Sequence, residues 1–87
     1  MLEQTARLIA EITHAIDSQM GTLTGDIISG VRIVYSNLQQ NFNFVVVSFA
    51  DWIASPEVTP YIDSETNDKI AELRTLLINK AQGREVA

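Results

Sequence analysis

Apolar and polar positions separate most cleanly between residues 27 and 53. Stepped at about 100° per residue around an axis, Ile27, Ile28, Val31, Val34, Tyr35, Leu38, Phe42, Val45, Val46, Phe49, Trp52 and Ile53 gather within an arc of about 120°. Ser29, Arg32, Ser36, Gln39, Gln40, Asn43, Ser48 and Asp51 fall outside it. The segments VRIVY and FVVVSF also have strand propensity, and SNLQQN between them would serve as a hairpin loop. Strict alternation fails, because Val45, Val46 and Val47 run together. The helical period is the better description, and it predicts one long amphipathic helix over residues 26–54.

The same period continues on either side. Leu2, Ala6, Ile9, Ile12, Ile16 and Met20 step by three or four, with Glu3, Arg7, Glu11, His14 and Ser18 opposite, predicting a helix over 2–20. Gly21 is placed to cap its C-terminus, and Thr24 or Asp26 to cap the next helix. So short a connector implies antiparallel packing of the first two helices. The prolines of SPEVTP end the second helix, and a Pro at a first helical position can start another. A third helix is expected over 60–82, with Asp63 and Ser64 as further cap candidates. Its stripe is Ile70, Leu73, Leu77 and Ala81, Lys80 lies in its last turn, and Gly83 ends it. The tail, 83–87, is expected to fray. The chain therefore reads as a single all-α domain over 1–87, an antiparallel helical hairpin plus a third helix. The second helix would be about 42 Å long against about 28 Å for the first. Its surplus stripe predicts that oligomerisation, in the simplest case a homodimer, completes the three-helix bundle.

Composition narrows the function classes. The 87 residues contain no cysteine, which excludes disulfides and thiolate metal sites and suits a reducing, cytoplasmic setting. Net charge is −5, and the six Lys and Arg form no run. Direct nucleic-acid binding is not expected of such a surface. The opening MLEQTARLIAEI lacks the basic leader and apolar run of a signal peptide. Arg32, Asp51 and many amides argue against a membrane span in the second helix, and its neutral polar face argues against an in-plane lipid anchor.

Candidate chemistry is sparse. His14 is the only histidine, without companions for a metal site or a partner for general-base work. DSETND, residues 63–68, begins like a calcium loop but has Asp68 where glycine is needed and Arg74 where the final glutamate is needed. It reads instead as a helix cap with an acidic first turn. Gly21, Gly25 and Gly30 make no phosphate-binding fingerprint; Gly30 suits a close helix approach or a place on the polar face. No catalysis, cofactor or metal is expected. The aromatic side of the second helix supplies the candidate interface residues Tyr35, Phe42, Phe44, Val45, Phe49 and Trp52. Within this group Phe44, like Ile33 and Val47, points to the polar face. The expectation is a non-enzymatic protein–protein interaction module: an adaptor, assembly factor or small inhibitor that regulates by occluding a partner's surface. A homo-oligomeric structural subunit is the alternative. An acidic surface of this kind suits a basic-surfaced heterologous partner.

Overall fold

Helical periodicity is realised in three α-helices: α1 (Leu2–Met20), α2 (Ile27–Ala54) and α3 (Ser64–Ala81), with a 3₁₀ turn at Thr59–Tyr61 before α3. The computed structural model describes residues 2–21 and 27–81, with only the backbone described at 27–29. Expectations placed on Thr24, Asp26, Gly83 and the tail lie outside the described residues. No strand occurs among the described residues, and the three helices pack as a three-helix bundle in which α1 meets both α2 and α3.

The caps follow the local chemistry. Gly21 takes φ +82, and its N–H donates to the Ser18 carbonyl at 3.3 Å, a backbone state that costs glycine no Cβ clash. The Thr66 N–H donates to Asp63 Oδ1 at 2.8 Å, so Asp63 is the side-chain cap of α3. Helix α3 consequently starts at Ser64, not at residue 60. Pro60 sits at the start of the 3₁₀ turn and Pro56 in the turn that Ser55 closes by accepting from Val58 at 3.1 Å. Val58 between them is 2% exposed and belongs to the core. The sequence reads this segment as a break and a restart, with no core residue assigned to it.

The second helix is not one straight rod. Asn41 has non-helical φ −140 and ψ 54, dividing α2 into an arm over 27–40 and an arm over 42–54. Neither proline nor glycine stands there. Asn41 and Asn43 are weak helix formers, and an asparagine side chain competes for backbone hydrogen bonds.

Pairings between elements give the course of the chain. Gln19 at the end of α1 donates to Asp63 at the start of α3, Nε2 to Oδ2, at 2.7 Å. Leu8 and Glu11, earlier on α1, share a cleft with Lys69 and Glu72 further along α3. Helices α1 and α3 are therefore antiparallel. Phe42 lies beneath Lys80 near the end of α3, whereas Ile53 shares a cavity with Ile70 nearer its start. The 42–54 arm is thus also antiparallel to α3, and so runs in the same direction as α1. The 27–40 arm is the return segment between them. On it Gly30 faces Ala10, whose Cβ would lie 3.9 Å from a Cβ added at Gly30, while adjacent Ile9 lines a cavity with Val46 and Phe49 of the other arm. A straight helix would separate Gly30 from Phe49 by about 28 Å, too far for neighbouring residues of α1 to meet both.

This arrangement makes α1 the centre of the core. Ala6, Ile9, Ile12 and Ile16 are buried as its stripe predicts, but Thr5, Leu8, Ala10 and Asp17 are buried too, because α1 is covered on more than one side. Ile12 and Ile16 are wholly inaccessible, each stabilising the fold by about 1.5–3 kcal/mol through burial. Among the described side chains of α2, Leu38 and Phe49 are the buried ones. The longest extent of the molecule is 37 Å, shorter than the about 42 Å of a straight α2. The length surplus that suggested completion by a second subunit is therefore taken up within the chain by the bend.

Candidate interaction surface on the second helix

The six aromatic and apolar residues singled out on α2 do not share one environment. Phe49 is 9% exposed and belongs to the core. Trp52 is half-buried beside it, with ring centroids 6.2 Å apart and planes tilted by 41°. Tyr35 and Val45 are half-buried against the core. Phe42 is half-buried, and the Lys80 Nζ stands 4.8 Å above its ring centroid, within range of a cation–π attraction. Phe44 alone faces outward, 73% exposed. Thus Phe42, Val45, Phe49 and Trp52 hold the 42–54 arm onto the bundle, and Tyr35 holds the other arm.

The outward face carries more apolar surface than Phe44. Val47, one turn later, is 58% exposed, and Ile33 on the 27–40 arm is 62% exposed. Phe44 and Val47 are three residues apart on one helical arm, so their side chains are neighbours. Around them stand exposed Gln40, Asn43 and Ser48, all neutral, with Asp51 the nearest charge along the arm. Neutral amides and hydroxyls cost far less to dehydrate than charges do.

The inner face differs. Between the 42–54 arm and α3 lies an apolar cavity of about 120 Å³. Val46, Phe49, Ala50 and Ile53 form one wall, Ile70, Leu73, Arg74 and Leu77 the other, and Ile9 contributes from α1. The α2 and α3 backbones stand well apart here, each packed more closely on α1. Phe49 is the single residue of the predicted set that reaches this cavity. The remaining lining was legible as apolar periodicity, but its convergence required knowing that α3 folds back along the second arm.

Other polar features have structural explanations. The Asp63 carboxyl is held below its usual value chiefly by donation from the Thr66 N–H and hydroxyl, with a smaller contribution from Gln19. That is cap chemistry, as expected for DSETND. His14, opposite the apolar stripe of α1, is half-buried. Among the described residues no three His, Cys, Asp or Glu gather closely enough to hold a metal ion, and no helix is long and apolar enough to cross a membrane. Comparison with protein-family models, with curated proteins and with solved structures finds no match for this chain.

Proposed function

We propose that this chain is a non-enzymatic protein–protein interaction module that docks through the outward face of the 42–54 arm. The observation that carries the reading is the exposure of Phe44 and Val47 one turn apart, 73% and 58% respectively, on a face whose other exposed polar groups are neutral apart from Asp51. Aromatic residues surrounded by easily dehydrated groups are the usual anchors of protein interfaces. The arm itself is held to the core through Phe49, with Phe42, Val45 and Trp52 packed against the same cluster, so the anchors are presented on a firm support, which lowers the ordering cost of binding. In this reading the protein works as an adaptor, an assembly factor or an occluding inhibitor, in the cytoplasm. The net charge of −5 favours a partner whose surface around the contact is basic.

A homo-oligomeric structural subunit is the second reading, favoured by the same patch, since two copies can bury Phe44 against each other about a two-fold axis. Sedimentation velocity across a wide concentration range separates the two. Concentration-dependent dimerisation that Phe44→Asp abolishes supports the subunit. A monomer at all concentrations that captures a host protein, with capture lost in Phe44→Asp, supports the adaptor or inhibitor. A monomer whose capture is unaffected by Phe44→Asp overturns the docking face.

A further inference from the structure

We propose that the cavity between the 42–54 arm and α3 is a binding site for a small amphiphilic carboxylate, a single ring or short alkyl chain bearing one anionic group. The site lies on the side of the arm away from Phe44 and does not depend on the docking role given to that residue.

Two observations define the ligand. The first is volume. At about 120 Å³ the cavity is of the same order as the roughly 150 Å³ apolar cavity that admits benzene in another protein. It has room for one ring or its aliphatic equivalent, and is too small for a row of anchors from a docked helix. Its walls are aliphatic and aromatic: Phe49, Ile70 and Leu73, each almost covered by the rest of the core, form its floor together with Ile9, and Val46, Ile53 and Leu77 add to the lining.

The second is charge. On a chain of net charge −5, the single charged residue in the lining is a cation, Arg74. Its neighbours three and four places away on α3 are Ile70, Ala71, Leu77 and Ile78, so no carboxylate on its own helix is placed to neutralise it. The only salt bridge among the described residues, Glu3 to Arg7, is on α1. An apolar cavity with an arginine at its edge matches a ligand whose apolar body enters and whose carboxylate stays at the rim, held by the guanidinium in a forked geometry. A neutral apolar molecule would leave that cation unused, and an amine would be repelled.

Trp52 makes the test direct, since it is the only tryptophan and packs on Phe49, which lines the cavity. Phenylacetate and phenylacetamide, equal in apolar body but different in charge, are titrated into the full chain while Trp52 emission and the methyl NMR signals of Ile9, Ile70, Leu73 and Leu77 are followed. The expected result is saturable binding of both, with phenylacetate tighter by about two- to fivefold, as for a solvent-accessible ion pair. Salt should shrink that preference. Arg74→Gln, at an exposed position, should equalise the two probes, and Ala50→Leu, which fills the cavity from its wall, should abolish both without unfolding the protein. Failure of both probes to move the methyl signals saturably, equal affinity for acid and amide in the wild type, or unaltered binding to a folded Ala50→Leu variant would each overturn the site. Methyl shifts that follow protein concentration and ignore the probes would overturn it too, assigning the cavity to a second protein chain.

Discussion

The Lys80 Nζ lies 4.8 Å above the ring of Phe42, joining the last turn of α3 to the first residue after the bend in α2. Because Asp63 at the other end of α3 is tied to Gln19 of α1, α3 is fastened at both ends to the elements it packs between. Cation–π attraction at a partly desolvated site is worth about 0.5–2 kcal/mol. Lys80→Met should keep most of the stem's packing and cost an amount in that range, whereas in a Phe42→Leu background it should cost little. A double-mutant cycle by urea denaturation measures the coupling.

The bend at Asn41 is testable without any functional assay. Spin labels at exposed Arg32 and Asp51 would be about 28 Å apart along a straight helix. With the two arms turned back on α1 the distance measured by pulsed electron resonance should be clearly shorter. A distance near that of a straight helix would contradict the bend.

Gly30 offers a stabilising substitution. Among the described residues, a Cβ built there meets the Cβ of Ala10 at 3.9 Å, an ordinary contact. Gly30→Ala should therefore gain about 0.5–1 kcal/mol from the reduced entropy cost of helix formation. Thermal and urea midpoints should both rise.

The cap at Asp63 predicts a pH dependence with a definite sign. Its carboxyl is held below the usual value by the Thr66 N–H and hydroxyl, so the folded state favours the charged form. That contribution is present above the unfolded carboxylate value and is lost as pH falls through the lower, folded value. Asp63→Asn should keep an acceptor for the Thr66 N–H but remove this part of the acid-side loss of stability. Asp63→Ala should destabilise the protein near neutral pH as well. Parallel urea titrations from neutral to acidic pH distinguish the three forms.

Core and surface aromatics on the same arm should behave oppositely. Phe49, 9% exposed, should cost about 3–5 kcal/mol when replaced by alanine, visible as loss of helical circular dichroism at low denaturant. Phe44→Asp should leave the fold intact, its effect confined to association.

Much of the fold was legible in the sequence because helix formation here follows from local pattern. Period, caps and breakers predicted α1 with its ends, the cap at Asp63 and the Ile70, Leu73 and Leu77 part of the stripe of α3, whereas Ala81 is exposed. The bend was not legible. Leu38, Phe42, Val45 and Phe49 keep helical spacing straight through Asn41, since each arm must turn its own apolar side toward α1 and no residue is gained or lost between them. Periodicity therefore reported one helix where packing has two arms.

Burial on α1 was underestimated for a related reason. A single stripe accounts for Ile9, Ile12 and Ile16, but Leu8 and Thr5 are covered by the other neighbours that the bend and the return of α3 place around α1. The exposed character of Phe44 and Val47 was present in the helical phase itself, whereas the cavity above Ile9 was not. Which residues carry apolar surface is a property of the chain, settled position by position. Which of those surfaces meet, and which stay open between helices held apart by a third, depends on contacts distant in sequence that only the packed structure decides.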